Sequence, residues 1–197
     1  MARRNDHTKE EIREMVIQAG SELIRASGFS SFSTRQIAKE IGYTVGTLYN
    51  VFESYDDIIL HINATTLDDM RKFIEERLSP KLKNANAIKH LAKIYIDFAH
   101  KNYNSWSALF EYNILSELKL PEWYSQKIEN LFSITEGLLS EFIVKKSEAL
   151  KHAKVIWASI HGICVLSLTR KLNVTRAESV EVLTDSLIEN YLRGLEK

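Results

Sequence analysis

The sequence predicts an all-α fold: an N-terminal three-helix head carrying a helix-turn-helix, then a larger helical body, about nine helices in all. Three observations carry this. Pro80 and Pro121 are the only prolines in 197 residues, and four of the seven glycines fall before residue 47, so long stretches lack breakers. Apolar residues recur at spacings of three and four, and no clean run alternates with period two. Hydrophobic residues make up 45% of the chain, ample for a packed core.

The elements follow in order. Thr8-Lys9-Glu10-Glu11 reads as a capping box, opening a helix with Ile12, Met15, Val16, Ala19, Leu23 and Ile24 on one stripe. Gly28 supplies its left-handed stop. Phe29 and Phe32 plug the base of the head. Ser33 or Thr34 caps a second helix that runs to about Ile41 and buries Ile37, Ala38 and Ile41. Gly42 turns the chain without a Cβ clash, and Thr44 caps a third helix with Leu48 and Phe52 inward. That leaves Val45, Gly46, Thr47, Tyr49 and Asn50 to face outward, with Thr44 at the cap.

Ser54-Tyr55-Asp56-Asp57 opens a long fourth helix whose first-turn acids suit the helix dipole, ending at Ser79-Pro80. After the polar stretch 81–86 the pattern gives helices at about 87–102, 105–118 and 122–144. A final pair spans about 147–172 and 176–194, the second opened by a capping box at Thr175-Arg176-Ala177-Glu178.

Composition narrows the function classes. Cys164 is the single cysteine, which excludes a disulfide framework and a cysteine-based zinc site. The N-terminus lacks the apolar run of a signal peptide, and the most apolar segment, 155–168, is shorter than the ~20 residues of a membrane span. A cytoplasmic protein with no membrane partner is the expectation. The six histidines contain no pair at i, i+3 or i+4, so no helical metal site is expected. No nucleophile motif, phosphate loop or paired carboxylate points to an enzyme or a cofactor. The formal net charge is zero. Residues 1–55 balance seven cations (Arg3, Arg4, Lys9, Arg13, Arg25, Arg35, Lys39) against seven acids (Asp6, Glu10, Glu11, Glu14, Glu22, Glu40, Glu53). Any basic footprint must therefore come from placement rather than excess.

Residues 34–58, TRQIAKEIGYTVGTLYNVFESYDDI, resemble the DNA-binding head of the TetR family of bacterial transcriptional regulators. The match rests on Thr34-Arg35, Ile37-Ala38, Ile41-Gly42 and Gly46-Thr47-Leu48-Tyr49, with Phe52 beyond. The resemblance implies a DNA-binding domain over residues 1–53 and a ligand-binding and dimerisation domain over 54–197. It implies that Thr34 and Arg35 touch the phosphate backbone or an adjacent base. Val45, Gly46 and Thr47 would enter the major groove, and Tyr49 would contact phosphate. Residue chemistry agrees: hydroxyls, arginines and helix-start amides hold phosphates, while groove-facing side chains read bases. Where the family often has a histidine and then lysines, this chain has Val51, Glu53 and Tyr55. Each missing cation should remove a phosphate contact and flatten the salt dependence of binding, and Arg3 and Arg4 on the N-terminal arm would compensate. Trp157, His161 and Gly162 resemble a tryptophan–histidine–glycine pattern of one C-terminal subgroup.

The body is rich in aromatic residues with polar tips. Buried tyrosine and tryptophan need partners, and a cavity for an aromatic or amphiphilic small-molecule effector would supply them. Candidate lining residues are Phe98, Trp106, Phe110, Asn113, Trp123, Trp157 and His161, with Tyr95, Tyr112, Tyr124 and Cys164 beside them. Residues 155–168 are apolar nearly all round, and the last helix carries a broad stripe from Val180 to Leu195. Burial on two sides would follow from a four-helix bundle made with a second copy, a homodimer through the last two helices. The resulting expectation is a repressor that binds a palindromic double-stranded DNA operator and is released by its effector. Two other readings remain: a helical ligand-binding or interaction module whose head no longer reads DNA, and a small all-α enzyme using His161.

Overall fold

The computed structural model describes residues 7–112, 120–142, 146–174 and 177–195. Every regular element among them is helical: α1 (Lys9–Ser27), a 3-10 turn (Phe29–Ser31), α2 (Thr34–Glu40), α3 (Val45–Leu48), α4 (Tyr55–Arg77), α5 (Asn84–Lys101), α6 (Tyr103–Glu111), α7 (Glu122–Leu139), α8 (Lys146–Leu168), the single turn α9 (Lys171–Val174) and α10 (Val180–Leu195). The chain forms two compact units, Met1–Asp68 with Asn102–Tyr124, and Asp69–Lys101 with Ser125–Lys197, so α4 contributes to both.

In the first unit, α1 begins as its capping box requires. The Thr8 hydroxyl accepts from the Glu11 amide at 3.2 Å, and the Glu11 carboxylate accepts from the Thr8 amide at 2.6 Å. That exchange also holds the Glu11 carboxyl below its usual range. Ile12, Val16, Gly20 and Ile24 form the buried stripe, and Gly28 ends the helix at φ 78°. Against it pack Ile37, Ala38, Leu48, Val51, Phe52, Ile58 and Ile62, one continuous core with Phe29 and Phe32 at its edge. Gly20 is a close-approach position: a Cβ there would lie 2.3 Å from the Ile62 Cδ1. The 3-10 turn and α6 also pack on α1, and Ala108 of α6 joins the same core. Phe29 stacks on Phe32 and takes the edge of Tyr112, whose hydroxyl donates to the Asp56 carboxylate in the first turn of α4.

Three starts differ from the sequence pattern, those of α5, α6 and α10. Helix α6 begins at Tyr103 with Asn102 at the N-cap position but no side-chain cap bond, and the Asn104 side chain is used elsewhere: its amide donates to the Arg25 carbonyl at 2.9 Å. Helix α5 begins at Asn84 rather than 87, with Asn84 at φ 55°, a conformation asparagine tolerates. In the second unit α7 starts after Pro121 as expected and closes at Leu139, where Phe142 bonds back to the Leu139 carbonyl. Helix α10 starts at Val180, and its cap is Ser179, whose hydroxyl accepts from the Val182 amide at 3.3 Å. Thr175 and Arg176 of the expected capping box lie outside the described residues, as do Arg3, Arg4 and Asn113. Helix α8 buries Ala149, Ala153, Ile156, Ile160 and Cys164, while Thr184, Ile188 and Leu192 form the buried edge of α10.

Candidate nucleic-acid interface

The site is assembled from α2, the following turn and α3. Ile37 and Ala38 anchor α2 from below, and Leu48 and Phe52 anchor α3, all four almost fully buried. Ala38 has a second use: its carbonyl accepts the Tyr43 amide at 2.8 Å across the turn, while Gly42 sits at φ 75° with nothing near its missing Cβ. The turn is therefore closed by backbone bonds, with glycine supplying the one left-handed residue.

Thr44 caps α3 through its hydroxyl, which accepts from the Thr47 amide at 3.3 Å and lies 3.0 Å from the Thr47 hydroxyl. The far end is held from α1. Arg13 donates through Nη2 to the Val51 carbonyl at 2.7 Å and lies over the Phe52 ring at 4.8 Å. Its Nη1 meets the His61 Nε2 at 3.2 Å, and that ring stacks on Trp123 with centroids 4.5 Å apart. Two bonds then start α4: the Asp57 amide donates to the Ser54 hydroxyl and the Asp57 carboxylate accepts from the Glu53 amide, each at 3.0 Å.

Most of the residues singled out by sequence reach the surface. Arg35, Thr44, Gly46, Tyr49 and Asn50 are exposed, Tyr49 at 45%, and Thr34 and Thr47 are half-buried. Val45 packs partly against the core of the head, so only part of it remains at the surface. A Cβ on Gly46 would meet only the Thr44 hydroxyl, at 3.8 Å. Nothing inside the chain requires glycine there. Of the three positions that lack the family's cations, Val51 belongs to the core, while Glu53 and Tyr55 are both exposed, Tyr55 meeting the Phe32 ring edge to face. Sequence reasoning missed Arg13, the strut of the recognition segment. Its only signal was a cation on the edge of an apolar stripe.

The candidate effector residues divide between the two units. In the first, Trp106 is buried and meets Phe110 edge-on at 5.2 Å, and Trp123 stacks on His61. In the second, Phe98 is buried edge-on to Phe73, and Trp157 lies between Phe132 and His161 at 5.7 and 5.4 Å. His161 Nδ1 is 2.9 Å from the Tyr95 hydroxyl, and burial lowers its pKa, favouring the neutral ring. Cys164 is fully buried and its thiol is pushed up to about 12 by desolvation, so it is inert packing. A groove of about 320 Å³ lies between α5 and α10, lined by Lys89, His90, Lys93, Thr184 and Asp185 among others and by none of the seven candidates. Lys93 pairs with Glu181 at 3.3 Å across the same two helices, and Lys89 pairs with Glu189.

Residues 16–62 match the family described as bacterial regulatory proteins, tetR family, and residues 88–191 match the tetracyclin repressor-like C-terminal domain. The chain belongs to the TetR family. It is a transcriptional regulator, all-α, and its fold is that of such regulators rather than of enzymes. An uncharacterised HTH-type transcriptional regulator of Mycobacterium tuberculosis is 21% identical over 185 residues, covering 94% of this chain and 82% of the relative. A protein of unknown function from Rhodococcus sp. RHA1 shares the fold at TM-score 0.73 and 16% identity, with both chains covered in full. The transcriptional regulator FadR of Bacillus subtilis, solved in complex with stearoyl-CoA, superposes at TM-score 0.66 with 17% identity, covering 92% of this chain and 98% of its own. Among the described residues, no helix of this TetR-family regulator is long and apolar enough to cross a membrane.

Proposed function

We propose that this regulator is a cytoplasmic repressor without catalytic activity or cofactor, which binds a palindromic double-stranded DNA operator as a homodimer and releases it when a small-molecule effector binds. The functional division falls at 53/54. Residues 1–53 read DNA and residues 54–197 bind effector and dimerise. The observation that carries the reading is the exposed cluster of Thr44, Gly46, Tyr49 and Asn50 around the start of α3, on a turn fixed from both ends. Thr34 and Arg35 at the start of α2 take phosphate, Val45, Gly46 and Thr47 approach base edges, and Tyr49 takes phosphate.

Dimerisation is supported by α8, where Val155, Ala158, Gly162 and Leu166 form an exposed stripe at spacings of three and four. Val182 on α10 is also exposed. A second copy would cover these faces, and a two-fold axis would offer two recognition helices to major grooves ~34–36 Å apart. Helix α4 runs from the end of the head into the second unit, so its tilt sets the spacing of the heads. An effector that favours the other tilt weakens DNA binding by its differential affinity, typically about 1–3 kcal/mol. Effector binding is supported by the fold relatives solved with stearoyl-CoA and with imidazole. Residues such as Phe98, Trp157 and His161 supply an apolar, polar-tipped lining.

The balanced charge of the head favours the rival module that no longer reads DNA. Selection of bound fragments from random duplex DNA separates the two. A recovered palindrome supports the reading; a protein that enriches no sequence refutes it.

A further inference from the structure

The end of the recognition segment is gripped by two side chains, and both meet the same ring. Arg13 Nη2 donates to the Val51 carbonyl at 2.7 Å while its Nη1 meets His61 Nε2 at 3.2 Å. Asp57 Oδ2 accepts the Glu53 amide at 3.0 Å while its Oδ1 lies 3.4 Å from that same Nε2. One imidazole nitrogen therefore sits between the cation and the carboxylate that fix the backbone of residues 51–53. The guanidinium has donors only, so Nε2 accepts from it.

The ring is itself held from a distant part of the chain. The Trp123 indole lies almost parallel on it, at 19° with centroids 4.5 Å apart, and Phe52 meets it edge to face at 5.5 Å. Trp123 stands in the first turn of α7, and its neighbour Tyr124 is buried and shares a hydrogen bond with the Asn63 side chain. The start of α7 thus has two ties to α4, and they differ in where they lead. Tyr124 bonds to neither gripping side chain, whereas Trp123 lies on the ring where both grips meet. These residues all belong to the first unit, and α7 continues past Tyr124 into the second.

We propose that Trp123 and His61 are positioning residues for the recognition segment: the indole fixes the plane of the imidazole, and the imidazole aligns Arg13 and Asp57 on the backbone that follows α3. The inference rests on the DNA-binding reading above and adds to it a link between the start of α7 and α3. Its physical basis is the shortness of α3. A one-turn helix cannot hold its own direction, so the side chains at its end set how it approaches DNA. Base edges are read by directed hydrogen bonds that depend on this approach. The non-specific attraction to the phosphate backbone tolerates a small reorientation.

The test compares two duplexes with the full-length protein: the sequence recovered by selection from random duplex DNA, and a mixed-sequence duplex. Trp123→Leu removes the stack, and because Trp123 is 37% exposed the buried core stays in place. His61→Phe keeps a ring for the stack and deletes the nitrogen. Each should weaken binding to the selected sequence on the order of tenfold, about the worth of one base contact, and leave binding to the mixed-sequence duplex unchanged. Trp123→Phe gives the same split at smaller size and serves where the leucine variant does not fold. Tyr124→Phe removes the other tie of α7 and should change neither affinity. In an Arg13→Met background, Trp123→Leu should lose most of its effect. Equal losses on both duplexes, a loss undiminished in that background, an equal loss from Tyr124→Phe, or no loss at all overturns the positioning role and leaves the DNA-binding reading standing. A wild-type protein that enriches no sequence overturns both.

Discussion

The Arg13 guanidinium, on α1, donates to the carbonyl of Val51 at 2.7 Å and so closes the end of the recognition segment from another helix. α3 is one turn long, too short to hold its own geometry. The strut and the Thr44 cap together replace the missing length. Arg13→Met keeps the aliphatic stem over Phe52 and deletes the donor. We expect a loss of about 1–3 kcal/mol, read as a lower urea midpoint at unchanged m-value. An unshifted midpoint would show that the bond carries nothing.

Gly20 belongs to the same core. Its Cβ would lie 2.3 Å from the Ile62 Cδ1 and 3.3 Å from the Ile37 Cδ1. Gly20→Ala gains about 0.8–1 kcal/mol of helix propensity and costs about 1–3 kcal/mol in overpacking. We expect net destabilisation. Ile62→Val removes the clashing methyl, so the double variant should be more stable than the two single losses combined. Simple additivity counts against the close approach.

Tyr49 and Thr47 should separate in their effects on DNA. Tyr49 is exposed beyond the turn, and its replacement by alanine should weaken all duplexes alike. Thr47 shares its hydroxyl with Thr44 at 3.0 Å and presents a methyl beside it, so Thr47→Ser should change which sequences are selected. A uniform loss from both in a binding assay with several duplexes means the reading face is assigned wrongly.

Gly162 tests the dimer. Nothing lies within 4 Å of a Cβ built there, so in a lone chain any side chain fits. At a helix crossing between copies the same side chain would hold the helices apart. Gly162→Leu should raise the dimer dissociation constant in sedimentation equilibrium. A dimer of unchanged affinity places the crossing elsewhere.

His161 gives the chain a pH dependence of known sign. Burial lowers its pKa below the ordinary 6.5, so the unfolded chain takes up the proton first. Its contribution is complete above 6.5 and is lost as the pH falls from there toward the folded value. We expect the urea midpoint to drop as the pH falls below 6.5, and His161→Gln to reduce that drop. An identical pH profile in the variant excludes His161 as its source.

Much of this molecule was legible in its sequence because the governing interactions are local. The Thr8 box, the Gly28 stop, the Gly42 turn and the Thr44 cap each involve residues within five positions of one another. At one shifted helix start a non-local bond competes: the Asn104 side chain is taken by a carbonyl of α1, and α6 starts ahead of it at Tyr103. Val45 reads as outward by spacing, yet it packs partly on the core because a one-turn helix leaves little surface to divide.

The amino-acid pattern alone determined the all-α class and the helix-turn-helix, since periodicity and capping act along the chain, and residues 34–58 carried the resemblance to the TetR family. Tertiary structure alone decided that Arg13 braces the recognition segment, that Trp123 stacks on His61, and that the aromatic candidates divide between two units. Those relationships join residues tens of positions apart. They depend on how helices cross, which a one-dimensional pattern does not encode.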